Sequence, residues 1–307
     1  MTQADLADAQ LALWIEQIRA QPGPSAQQTG VEALRSGART RALARGRRAE
    51  LHRVEDFRLD SGLAVWLYRS AAEPRPLVLF AHGGGFVFGD VETHDGICRR
   101  IAALTGAAVL AVDYRRAPEH PGPAAVDDLV EAACWVRAVG GELGVDASRL
   151  SLAGDSAGGA IALLGAVQLV ASGVPLGALL LAYPNAALEL NTPSLRHKGH
   201  GWGLEAEDLQ WFVEQWAPDP VRRQDPELSP VHAPLQGLPP TLLVTAEHDP
   251  LKDEGKQLAD LLDKAGVGVE AVHEPGLVHG FFGLSQISPA ADAATQRIMR
   301  RFGEVLG

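Results

Sequence analysis

The segment Leu150-Ser151-Leu152-Ala153-Gly154-Asp155-Ser156-Ala157-Gly158 joins a short apolar run to a Gly-x-Ser-x-Gly turn. The apolar half, Leu150–Ala153, predicts a buried strand, and the residues from Gly158 to about Ala171 predict a helix. A serine placed between the two sits on a very tight turn in a strained backbone conformation. Glycines on either side keep Cβ atoms out of the neighbouring elements. Such a turn pushes the hydroxyl out of the sheet, with a helix N-terminus behind it that favours negative charge. Ser156 is therefore the candidate nucleophile. In a chain with 33 glycines the five-residue pattern alone would be weak; the strand before it and the helix after it give it weight.

Outward from this turn, apolar strands alternate with helices. Val54–Leu59 and Leu63–Tyr68 flank the turn Asp60-Ser61-Gly62 and predict an antiparallel hairpin. Further strands are expected at Leu77–Ala81, Ala107–Val112, Ala178–Tyr183, Thr241–Ala246 and Gly268–His273. Helices are expected at Asp95–Leu104, Ala124–Val139, Glu254–Ala265 and Ala291–Phe302. Continuous apolar strands separated by helices imply an α/β fold, an eight-stranded mostly parallel sheet covered on both faces.

Two regions break this rhythm. Residues 1–50 predict an amphipathic helix near Leu6–Arg19, a break at Gln21-Pro22-Gly23-Pro24, and an Arg-rich helix over Val31–Arg48 whose charged face reads as solvated. Between Pro184 and Pro239 no strand is predicted, and the segment carries Trp202, Trp211, Phe212 and Trp216. It reads as a helical insertion of about residues 185–238. With residues 1–50 it would cap a catalytic domain of residues 51–307. The four aromatics read as the cap's own small core in preference to a pocket lining.

The remaining chemistry follows in chain order. His82-Gly83-Gly84-Gly85 comes directly after a predicted strand. Glycine lets backbone amides approach a developing oxyanion, so the amides of Gly84, Gly85 and Ala157 are the candidate oxyanion donors. His82 reads as a loop-holding residue and not a base. A serine hydroxyl needs a base to take its proton. Of the histidines after Ser156 (His197, His200, His232, His248, His273 and His279), His279 lies just past the last predicted strand, at the carboxyl edge where open sheets bind ligands. His273 is the alternative, though it falls within the strand. Asp249, after the preceding strand, is the candidate acid, with Glu247 as alternative. Asp253 and Glu254 open the next helix and read as helix-capping acids.

Composition narrows the function further. The chain has 307 residues, 46% hydrophobic and 21% charged, with net charge -11, which disfavours nucleic acid as a partner. Cys98 and Cys134 lie on predicted helices outside any metal-ligand spacing, and read as two buried free thiols. The first residues lack the basic and apolar regions of a secretion signal, and no apolar stretch is long enough to span a bilayer, so a cytoplasmic protein is expected.

Taken together, His82–Phe86, Asp113-Tyr114-Arg115-Arg116-Ala117-Pro118-Glu119-His120-Pro121, Gly154–Gly159, Asp249-Pro250-Leu251 with Asp253-Glu254-Gly255, and His279-Gly280-Phe281 resemble the bacterial hormone-sensitive-lipase family (family IV) of α/β-hydrolase esterases. The likeness spans residues 82 to 281 and falls in the subgroup with a Gly-Asp-Ser-Ala-Gly turn. It implies an α/β-hydrolase fold with an N-terminal cap and hydrolysis of short- to medium-chain carboxylic esters through an acyl-enzyme. It also implies no cofactor or metal, a small-molecule ester as partner and often a homodimer, and it supports Ser156, Asp249 and His279 as a triad. The family commonly has an aromatic residue where this chain has Gly122, and an apolar one where it has Arg116. Both departures bear on packing near the site. The same machinery would also serve an amidase, formamidase or lactonase. A non-catalytic ligand receptor on this scaffold usually lacks a triad member, and here all three are present.

Overall fold

Residues 76–81 read Pro-Leu-Val-Leu-Phe-Ala, so a strand here can bury both of its faces. In the computed structural model, which describes residues 6–44 and 49–307, it does so. Leu77, Leu79 and Ala81 enter one apolar cluster, while Val78 and Phe80 enter the other.

Along the chain lie α1 (Ala9–Ala20), α2 (Ala26–Thr29), α3 (Val31–Ala44), β1 (Arg53–Arg58), β2 (Ala64–Arg69), β3 (Pro76–Ala81), α4 (Asp95–Thr105), β4 (Ala108–Asp113) and α5 (Ala124–Val139). There follow β5 (Asp146–Asp155), α6 (Ala157–Ala171), β6 (Leu179–Ala182), α7 (Pro193–Lys198), α8 (Ala206–Trp216), β7 (Thr241–His248), α9 (Lys252–Lys264), β8 (Val269–Val278) and α10 (Pro289–Leu306). The eight strands form one sheet in the order β1-β2-β4-β3-β5-β6-β7-β8. β2 runs antiparallel to both its neighbours, and the rest are parallel.

Leu129 of α5, Ile161 of α6 and Leu258 of α9 cover one face of the sheet. Ile101 of α4 and Met299 of α10 cover the other. The sequence of α6, AIALLGAV from Ala160, is apolar all round, which fits a helix enclosed on every side.

The N-terminal helices are held by polar contacts at both ends. Asp8 caps α1 by accepting from Leu11 N at 2.7 Å, and its other oxygen accepts from Ala290 N at 2.8 Å at the start of α10. Asp208 of α8 accepts from Ala26 N at 2.6 Å, which joins α2 to the segment between β6 and β7. The expected solvated arginine face of α3 holds for Arg39 and Arg41, which are exposed, and fails at Arg35, which is half-buried. Arg35 makes a bidentate pair with Glu119 (2.8 and 2.7 Å) and also donates to Val87 O and Ala117 O. Arg39 reaches Asp90 at 2.5 Å. The predicted extension of this helix through residues 45–48 lies outside the described residues.

Other expectations shift too. Cys98 is buried, but Cys134 is exposed, because α5 turns that position outward. The four aromatics do not form one small core. Trp202 joins the cluster on the α4/α10 face of the sheet, Trp216 joins the opposite cluster, and Phe212 packs with Ala26, Val87 and Ala117. Among the described residues no helix is long and apolar enough to cross a membrane.

Candidate active site

Four strands each end one residue short of a candidate group. His82 follows β3, Ser156 follows β5, Asp249 follows β7 and His279 follows β8. The parallel pairing of these strands brings the four ends to one edge of the sheet.

Ser156 has φ 56° and ψ -123°, a conformation that costs a non-glycine residue on the order of 1–3 kcal/mol. The turn is also crowded: a Cβ at Gly158 would stand 2.1 Å from Ala81 O. His279 Nε2 lies 2.9 Å from Ser156 Oγ, and His279 Nδ1 lies 2.8 Å from Asp249 Oδ2. Asp249 is buried, and its second oxygen accepts from Leu251 N at 2.7 Å, which fixes the carboxylate plane. With its proton on Nδ1, the ring donates to Asp249 and accepts the Ser156 proton at Nε2. The edge of Tyr183, 5.0 Å away between ring centres, supports the imidazole from one side.

The two alternatives lie elsewhere. Glu247 accepts from Gly276 N at 2.7 Å, and that bond holds its carboxyl below the usual value despite partial burial. His273 reaches Thr245 Oγ1 at 3.1 Å within the β7–β8 pair.

Gly84 has φ 128°, and a Cβ there would meet Phe88 O at 2.0 Å, so only glycine fits. Among the described residues none of the amides of Gly84, Gly85 and Ala157 donates to a protein acceptor. They stand free beside the serine, Ala157 as the first residue of a helix whose leading amides lack intrahelical partners.

The loop is held from beneath by His82, as expected, and by Asp155 and Tyr114, which had no assigned role. Asp155, buried beneath the pocket, accepts from Gly83 N at 2.9 Å and lies 3.6 Å from His94 Nε2. Burial opposes its charge, but the nearby His94 and the Gly83 amide outweigh this and hold its carboxyl below the usual range. His82 stacks on Tyr114 with 4.1 Å between ring centres, and Tyr114 donates its hydroxyl proton to His82 O at 2.6 Å. Burial pushes the His82 imidazole down to about 3, so it stays neutral and serves to hold the loop.

Asp253 and Glu254 do not cap their own helix, whose first residue is preceded by Leu251 with no side-chain cap bond. Asp253 accepts from Ser194 N at 2.7 Å. Glu254 accepts from Ala186 N at 2.7 Å and Asn185 Nδ2 at 3.0 Å, and so ties down the loop after β6. Burial, reinforced by Asp249, outweighs those bonds and pushes the Glu254 carboxyl up to about 8. The folded protein thus holds a proton that the unfolded chain has released above pH 4.5. The stability this group supplies is complete below pH 4.5 and is lost as pH rises towards 8. Glu254→Gln keeps the accepting oxygen and carries no titrating proton. Its melting temperature, followed by circular dichroism, is expected to fall less than the wild type's across that interval.

The two departures from the family pattern have local explanations. A Cβ at Gly122 would meet Trp216 at 2.7 Å, so an aromatic from α8 fills the space an aromatic at 122 would take. Trp216 also stacks on Phe86 with 4.4 Å between ring centres. Arg116 donates to Gly89 O beneath the glycine loop.

Above Ser156 lies a pocket of about 250 Å³. Its floor includes Gly84, Gly85, Ser156 and His279. Its walls include Trp14, Ala38 and Arg41 from the N-terminal helices and Leu204, Leu209 and Phe212 from the segment between β6 and β7. Among the described residues no group of three or more His, Cys, Asp or Glu could hold a metal ion.

Residues 78–283 match the family model described as alpha/beta hydrolase fold. The carboxylesterase NlhH of Mycobacterium tuberculosis is 41% identical over 227 residues, covering 72% of this chain and 71% of its own length. An ethyl acetate hydrolase of Pseudomonas putida is 36% identical over 272 residues, 85% of this chain and 86% of the relative. The crystal structure of a thermostable esterase from Pseudomonas putida superposes with a TM-score of 0.92 at 30% identity, covering 100% of this chain and 99% of that one. On these matches, together with its sheet order and strand-end site, the chain belongs to the alpha/beta hydrolase fold family, in its hormone-sensitive-lipase branch of esterases.

Proposed function

We propose that Ser156 is the nucleophile of a serine carboxylesterase, with His279 as general base, Asp249 as its orienting carboxylate, and the amides of Gly84, Gly85 and Ala157 as oxyanion donors. The enzyme hydrolyses carboxylic esters of small molecules. The observation that carries the assignment of residues is the hydroxyl–imidazole–carboxylate line of 2.9 and 2.8 Å at the base of the pocket.

In the first step His279 takes the Ser156 proton as Oγ attacks the ester carbonyl, and the carbonyl oxygen becomes an oxyanion facing the three amides. Collapse of this intermediate breaks the bond to the alcohol, which leaves with the proton from His279. Water then attacks the acyl-enzyme by the same route, releases the acid and restores Ser156. Asp249 stays ionised and stabilises the imidazolium.

Residues 1–50 and about 185–238 act as a cap on the catalytic domain of residues 51–307. The pocket walls they contribute, and the pocket's small volume, support a preference for short to medium acyl chains. Family resemblance supports a homodimer. The test is hydrolysis of p-nitrophenyl esters from acetate to dodecanoate, with mass-spectrometric mapping of an active-site phosphonate. Turnover greatest on the shorter chains, with the label on the Ser156 peptide, is the expected result. No ester turnover, or a label elsewhere, would sink the reading.

A further inference from the structure

α3 carries three described arginines, and two of them are committed. Arg35 is paired with Glu119 and Arg39 with Asp90. Arg41 makes no ion pair or hydrogen bond with another described residue, yet it lines the pocket over Ser156 beside Trp14 and Ala38. A Cβ at Gly37, one turn earlier, would come within 3.2 Å of Arg41 Nη1. The missing side chain at Gly37 leaves the guanidinium room on this face of the helix.

The other ionisable groups of the pocket lining are already engaged. His279 lies between Ser156 and Asp249, and Asp155 rests on the Gly83 amide beside His94. The apolar part of the lining includes Phe88, Leu209 and Phe212. A single uncommitted guanidinium in such surroundings favours a planar anion that it can grip with two N–H groups. Arg41 is exposed on the pocket wall, so this attraction is open to screening by salt.

We propose that Arg41 binds a free carboxylate carried by the substrate, so that the enzyme prefers esters with a second, acidic group. This rests on Ser156 being the nucleophile. The shared chemistry is one carboxylate a few bonds from the scissile carbonyl, on either the acyl or the alcohol side.

Two matched pairs separate the sides. Mono-4-nitrophenyl glutarate against its methyl ester places the acid on the acyl side, and 4-acetoxybenzoate against its methyl ester places it on the alcohol side. In each pair the ratio of kcat/KM for acid over neutral ester is measured for wild type, Arg41→Lys, Arg41→Met and Arg41→Glu. The ratio in one pair is expected to fall about 10-fold in Arg41→Met and further in Arg41→Glu, with Arg41→Lys between wild type and Arg41→Met. Added salt should erode the wild-type ratio, which reads the same contact without a substitution. Equal ratios in wild type and Arg41→Met for both pairs, with no salt effect, would overturn the proposal while leaving the esterase reading intact. Failure of wild type to cleave the neutral esters would remove both.

Discussion

Ser156→Ala is expected to lower kcat on a p-nitrophenyl ester by about 10⁶-fold, the scale on which loss of a serine nucleophile acts when it works as a unit with its base. The geometry gives the reason. His279 Nε2 has one partner at the floor of the pocket, Ser156 Oγ at 2.9 Å, and an alanine there leaves the imidazole nothing to deprotonate except water. The free amides at Gly84, Gly85 and Ala157 survive the change, so a residual rate above background is expected from oxyanion stabilisation alone. Alanine keeps the Cβ and the positive φ of 56°, so backbone strain is carried over and the melting temperature should stay close to the wild type's. Steady-state kinetics beside circular dichroism checks both halves. A folded variant with wild-type turnover would exclude Ser156 as nucleophile.

Asp249→Asn is expected to lower kcat by about 10⁴-fold with little change in KM. Asp249 Oδ2 accepts from His279 Nδ1 at 2.8 Å, while Oδ1 is held by Leu251 N. With its carbonyl oxygen kept on the Leu251 amide, an asparagine turns its NH₂ towards the imidazole. That moves the ring proton to Nε2, the atom that must accept from Ser156. The ring would stay in place, in the wrong tautomer. Asp249 is 1% exposed and stands behind His279, outside the pocket lining, so substrate binding has no direct stake in it. A variant whose loss appeared in KM and not in kcat would contradict the assigned role.

The layering and the strand-end positions of Ser156, Asp249 and His279 were legible because they depend on local pattern. Apolar runs of four to eight residues, a Gly-Asp-Ser-Ala-Gly turn and the order of elements need no knowledge of distant partners. Strand ends were less legible. Gly268–His273 was expected where β8 extends to Val278, through Pro275 and Gly276. β8 lies at the sheet edge, where proline is tolerated because one row of amides has no strand to pair with. Asp155 was passed over as the variable residue of the turn motif, since its partner Gly83 N lies 72 residues away. The pairing of Arg35 and the buried place of the Glu254 carboxyl are illegible in the sequence for the same reason. Composition shows that both residues are charged, and only tertiary packing shows that Arg35 meets Glu119 or that Glu254 meets Asn185.

The attachment of the N-terminal helices bears on how the chain comes off the ribosome. Asp8 is tied to Ala290, the backbone of Ala7 donates to Gly276 O, and Ala26 is tied to Asp208. The start of α1 therefore meets Gly276 and Ala290 only once residues 276–290 have been made, whereas α3 finds Asp90 and Glu119 much earlier. During synthesis the strands up to β7 can pair while the pocket wall that Trp14 of α1 provides is still missing. His279 lies in that same late stretch, so the proposed base and this wall reach the site together, and the pocket gains reactivity and shape in one step.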